Sequence, residues 1–153
     1  MKKLSIHLTT MLILLAASTL FIHAEVKLPA IFSDNMVLQQ QTDAAIWGTA
    51  SVNSTVTVKT SWNKRSYTTR AGADGRWKLK VATPAAGGPY TVMVSQRKTI
   101  TLRNVMIGEV WVCSGQSNME MPLKGYFNQP VSGSNEYIAT STNDLIRLSL
   151  IHI

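Results

Sequence analysis

The sequence predicts an antiparallel β-sandwich followed by the start of an α/β domain, and three observations predict it. Between Val26 and Arg103, short segments alternate apolar with polar positions and are separated by turn residues, the pattern of antiparallel strands that bury one face. From Asn104 the alternation gives way to NVMIGEVWVCSG, whose apolar run VWVC at residues 110–113 suits a strand covered on both faces of a parallel sheet. A crossover and a second apolar stretch then follow, in the order that opens an α/β domain.

Residues 1–24 read as an export signal. Lys2 and Lys3 form a basic start, Leu8 to Ile22 is largely apolar, and Ile22-His23-Ala24 is an acceptable cleavage site. The apolar run is interrupted and shorter than the roughly 20 residues a bilayer span requires. Cys113 is the single cysteine, so nothing near residue 24 indicates a lipid anchor. The expectation is an exported protein, periplasmic or secreted, that starts near Glu25 and has no stable membrane anchor. With one cysteine it has no internal disulfide, and its core must do the stabilising.

Residues 25–103 are assigned to the sandwich. In TVTVKTSW, Val56, Val58 and Trp62 share a face; in RWKLKVA, Trp77, Leu79 and Val81 do, with Arg76, Lys78 and Lys80 opposite. Asp74-Gly75 is a hairpin signal, because a tight turn needs positive φ and glycine supplies it cheaply. TPAAGGPY marks a second break before the strand YTVMVSQ. No stretch here has a helical period, and about seven strands at this spacing point to a sandwich. The region carries eleven Lys or Arg against four Asp or Glu. These cations are spread singly along alternating segments, which describes a solvated sheet face and not a nucleic-acid surface.

Residues 104–153 are assigned to the N-terminal part of an α/β domain. GYFNQPVSGSNEY reads as loop and DLIRL as a second buried strand. Fifty residues hold about one strand–crossover–strand unit. The chain stops in SLIHI without a terminal helix, so the expectation is an incomplete domain, with a truncated reading frame or foreign residues at 149–153.

Ligands of an open α/β sheet bind where strands turn into the following helices. Ser114, Gly115, Gln116, Ser117 and Asn118 lie at such a place. Gly115 permits a tight turn and close substrate approach. A helix starting at Ser117 would turn its free N–H groups toward negative charge near that hydroxyl. The same residues also fit a capping box, Ser117 capping and Glu120 reaching back, and the local pattern alone favours that reading. Pro122 limits the helix to about one turn. The pattern is not G-x-S-x-G, since Met119 stands where the last glycine belongs. Cys113 is a rival nucleophile, but without a nearby Lys, Arg or His it reads as a small core residue. Ser114 reads as a turn residue. Trp47, Trp62, Trp77 and Tyr90 fit core anchors better than a sugar-stacking platform. Neither metal-ligand spacing nor a phosphate loop occurs.

VWVCSGQSNMEMPL closely resembles the first motif block of the SGNH hydrolases, in the form found in bacterial sialate O-acetylesterases and related carbohydrate esterases. IFSDNMVLQ, IWGTA and DGRWKLKVATPAAGGPYTV extend the resemblance over nearly all of residues 28–148. It implies a flavodoxin-like hydrolase domain after the sandwich. Ser117 would be the catalytic nucleophile and its backbone N–H one oxyanion-hole donor, while Gly115, Gln116 and Asn118 are motif neighbours of uncertain role. The resemblance further implies an O-acetylated carbohydrate substrate and no cofactor. In that family the remaining oxyanion donors and the Asp-x-x-His come from later blocks, and this chain has none of them.

A serine hydroxyl needs a general base within hydrogen-bond reach. The three histidines are His7 and His23 in the signal and His152 in the tail, where no Asp stands three residues before it. Glu120 is a substitute base in principle but more readily caps or faces solvent. The chain alone is therefore expected to hydrolyse almost nothing. Two other readings are a non-catalytic carbohydrate-binding or adhesion module built on the sandwich, and a gene fragment without function.

Overall fold

The computed structural model describes residues 25–149. The export-signal reading, His152 and residues 150–153 lie outside the described residues. Among the described residues, seven strands precede residue 110: β1 (Val37–Gln39), β2 (Asp43–Thr49), β3 (Thr55–Thr60), β4 (Ser66–Arg70), β5 (Arg76–Ala82), β6 (Gly87–Ser95) and β7 (Thr99–Gly108). One sheet has the order β1-β7-β6-β3-β4, and β2 with β5 forms a two-stranded ribbon. The chain is mostly β, with a curled mixed sheet.

Alternation decides which side chains go inside. Val56 and Val58 on β3, Val92 and Val94 on β6, Val105 and Ile107 on β7, and Ile46, Trp77 and Val81 on the ribbon are buried in one cluster. Arg76, Lys78 and Lys80 take the opposite face of β5 and are exposed. β-Branched residues suit these half-buried pleats, because their stiff χ1 loses little on packing there. Trp62 and Tyr90 pack against the cluster edge to face, with ring centroids 5.6 Å apart. Trp62 Nε1 donates to Ala82 O. The core-anchor reading therefore holds for Trp62, Trp77 and Tyr90, whereas Trp47 is partly exposed and meets the edge of Phe32.

The expectation of purely antiparallel strands is corrected at one sheet edge. β1 runs parallel to β7, with Val37 opposite Met106 and Gln39 opposite Gly108. A parallel pair needs a long connection instead of a hairpin, and here the five intervening strands provide it. A second correction concerns Asp74-Gly75. The turn forms, with φ +74° at Gly75 and the Arg76 N–H donating to Asp74 Oδ1. The strands it joins do not pair with each other, since β4 pairs with β3 and β5 with β2. The turn therefore carries the chain from one sheet to the other. A third point is the 103/104 division expected from composition, which falls inside β7.

Beyond β7 the structure departs from the expected α/β opening. Among the described residues only short elements follow: α1 (Ser117–Glu120), β8 (Gly125–Tyr126), β9 (Gln129–Pro130) and α2 (Ser134–Thr140). VWVC forms no strand, and Trp111 and Val112 are 82% and 93% exposed. Cys113 is exposed too, so it is not a core residue. DLIRL is likewise no buried strand, with Leu145, Ile146 and Leu148 exposed. The physical reason is common to both runs. A strand exists through its ladder partners, and a doubly apolar one needs cover on two faces. Among the described residues neither run finds a partner strand, and α2 buries no residue.

Two substitutions test this account. Ile46→Ala, at a fully buried site, lowers stability by about 2–5 kcal/mol in urea unfolding, whereas Lys78→Ala on the outer face of the same ribbon stays within about 0.5 kcal/mol. Gly75→Ala places a Cβ 2.9 Å from Ala50 O at positive φ. It costs at least about 1–2 kcal/mol by the same measurement.

Candidate active site

The segment that carries the candidate serine leaves β7 from a pinned position. Three consecutive residues are tied to the end of β1. Gly108 O accepts the Gln40 N–H at 2.9 Å. The Glu109 carboxylate receives Gln39 Nε2 at 2.9 Å and Gln40 Nε2 at 2.7 Å, one on each oxygen. The Val110 N–H donates to Gln39 Oε1 at 2.9 Å. The two glutamines are themselves held, because Gln40 Oε1 accepts the Ala86 N–H and Thr83 Oγ1 donates to Gln39 O at 2.7 Å. The Gln40 amide, and next the Gln39 amide, hold the Glu109 carboxyl below the usual glutamate value, since both donors favour the charged form.

Past this pin, residues 111–115 make no hydrogen bond among the described residues. The chain then closes one turn, α1. Its N-cap is Gln116 and no side chain caps it. The capping-box reading is thereby corrected: Ser117 is the first helical residue, not the cap, and Glu120 does not reach back. The reason lies in the backbone, which turns one residue earlier and lets Gln116 O accept the Met119 N–H at 2.9 Å. Gly115 permits this turn, because a Cβ there would lie 3.0 Å from Met119 Cγ. Ser114 and Gln116 are exposed, Asn118 is the second residue of α1, and Ser117 is exposed, its hydroxyl without a hydrogen-bond partner among the described residues. It is thus accessible, and among the described residues no base accepts its proton. After α1, β8 and β9 form a hairpin that turns at Phe127-Asn128, with Gly125, at φ +77°, opposite Pro130.

The chain has clear relatives. No family model matches it. The sialate O-acetylesterase of Rattus norvegicus is 33% identical over 130 residues, which are 78% of this chain and 23% of that protein. That of Homo sapiens is 34% identical over 114 residues, 67% of this chain and 22% of that protein. The solved structure of a carbohydrate acetylesterase from Xanthomonas citri superposes with a TM-score of 0.60 at 36% identity, covering 64% of this chain and 22% of that one. The chain is sialate O-acetylesterase-like. It spans less than a quarter of the length of these relatives.

In the esterase-like chain, parts of the motifs outside the serine block acquire a physical role. In IFSDNM, Asp34 Oδ1 accepts the Arg103 N–H and Asn35 Oδ1 accepts Asn104 Nδ2, both at 2.7 Å. This holds β7 where Asn104 takes a φ of +53°. Arg147, from the DLIRL run, donates to the Asn104 carbonyl and to its Oδ1. Sequence reasoning missed the Gln39–Gln40–Glu109 cluster, whose members are about seventy residues apart. The only available signal was a polar Gln-Gln pair ending one strand and a lone Glu ending another.

The sign of the pH dependence follows from the lowered Glu109 pKa. The interactions of the ionised carboxylate are present above the ordinary glutamate range and are lost as pH falls through the lowered value. NMR titration therefore finds Glu109 below the ordinary value, and Gln40→Ala raises it more than Gln39→Ala does. Exchange of the Val110 amide accelerates as the carboxylate protonates. Equal titration of Glu109 in the native protein and both variants would contradict this.

Proposed function

We propose that this chain is the serine-bearing part of an exported bacterial esterase that removes acetyl groups from O-acetylated carbohydrates. The carrying observation is Ser117: an exposed hydroxyl directly after a tight Gly115-Gln116 turn, engaged in no cap, in a chain one-third identical to sialate O-acetylesterases. In this reading the sheet and the ribbon are the two layers of a β-sandwich. Residues beyond β7 begin an SGNH hydrolase domain, whose remaining strands cover Trp111, Val112 and Leu148.

The chemistry follows from what a serine hydroxyl requires. Ser117 Oγ attacks the acetyl carbonyl, and a base takes its proton. The carbonyl oxygen becomes an oxyanion that the Ser117 N–H helps to hold. The carbon–oxygen bond to the sugar breaks and the sugar leaves with a proton, giving an acetyl-serine. Water then adds to this ester, and acetate departs as Ser117 regains its proton. An Asp–His pair from outside the described residues provides the base, and no step calls for a cofactor.

The test measures acetate release from O-acetylated sialic acid and from acetylated xylan, using the protein extended to the length of its relatives. Ser117→Ala lowers kcat by about 10⁴-fold or more, and residues 25–149 alone release acetate no faster than the buffer. Unchanged turnover in Ser117→Ala removes Ser117 from this role.

A further inference from the structure

We infer that Glu109 is a positioning residue for the nucleophile, fixing through Gln39 and Gln40 the point and direction from which the Ser117 segment leaves the sheet. The inference rests on the reading of Ser117 as nucleophile, and it adds a residue that never touches the substrate.

Three features of the structure carry it. The Glu109 pin is the last fixed point before Ser117, because residues 111–115 form no hydrogen bond among the described residues. The arrangement is also fully committed. Each glutamine gives its Nε2 to one carboxylate oxygen, while its Oε1 accepts a backbone N–H, Val110 for Gln39 and Ala86 for Gln40. Finally, the pin is decoupled from the core. Gln39 and Gln40 are half-buried and Glu109 is exposed, and none belongs to the buried apolar cluster. A group that contributes little to the core yet organises three successive backbone positions is suited to geometry rather than to stability.

Replacing Glu109 with an amide of the same shape is specific. One oxygen becomes an NH₂ facing a glutamine NH₂, so one arm of the pin turns repulsive. A displacement of about 1 Å at a reacting atom costs on the order of 10²-fold in rate. In the protein extended to the length of its relatives, Glu109→Gln therefore lowers kcat by roughly 10- to 100-fold. KM stays within about twofold, as befits a change in reaction geometry and not in substrate binding. The rate at which a fluorophosphonate labels Ser117 falls in parallel with kcat. The thermal midpoint moves by less than about 2 °C, as for a surface change.

The double exchange Gln40→Glu with Glu109→Gln returns one carboxylate and two amides to the cluster and keeps an acceptor for the Ala86 N–H. It restores kcat and labelling to within about threefold of the unaltered protein. A merely structural role would instead lower the thermal midpoint together with kcat in Glu109→Gln. An unchanged kcat in Glu109→Gln, beside an inactive Ser117→Ala, overturns this inference and leaves the esterase reading standing. A loss in Glu109→Gln that the swap leaves unrepaired overturns it also. Activity that survives Ser117→Ala overturns the esterase reading, and this inference with it.

Discussion

The parallel pairing of β1 with β7 brings the first strand of the sheet beside the last, and the candidate site depends on that juxtaposition. Three paired residues suffice, Val37 to Gln39 against Met106 to Gly108. Just upstream, Asp34 and Asn35 grip Arg103 and Asn104. Just downstream, Gln39 and Gln40 grip Glu109 and Val110. A short parallel ladder is weak by itself. Here side-chain bonds reinforce it on both sides, and those on the exit side decide where the serine segment begins.

The strands were legible because alternation is local. A residue's in-or-out placement in β3 or β5 is written in its neighbours two positions away, and the burial of Val56, Val58, Trp77 and Val81 follows it. Partner choice is not local. Asp74-Gly75 correctly marks a reversal, yet reversal between two sheets uses the same positive φ as reversal within a hairpin. The dipeptide therefore cannot say which strand β5 joins. Similarly, nothing within a ten-residue window of Gln39 announces Glu109. Contacts between residues seventy apart are set by the summed packing of five strands.

VWVC shows the complementary failure. Its composition was read as burial on two faces, and composition states what a segment needs, not what surrounds it. In this structure Trp111 and Val112 meet no partner and stay in solvent. The serine was legible as a candidate for a different reason. Local pattern left it between a cap and a nucleophile, and the resemblance chose the nucleophile. The backbone then removed the cap by placing the N-cap at Gln116 and Ser117 inside α1. That shift of one residue lies below what sequence patterns resolve.

The two parts of the chain are stabilised on different terms. The β unit encloses most of its apolar side chains in one cluster. The part carrying Ser117 does the reverse: Trp111, Val112, Phe127 and Leu148 are each more than four-fifths exposed. Burying side chains of this size is worth about 1.5–3 kcal/mol apiece, so the segment gains order when something covers it. Under the proposed function, the cover and the missing base arrive together, since both belong to the same hydrolase domain. A hydroxyl that becomes reactive only when its strand is buried is protected from idle chemistry beforehand. The Glu109 pin then contributes what burial alone does not, a fixed departure point that limits how many arrangements the covered segment must search.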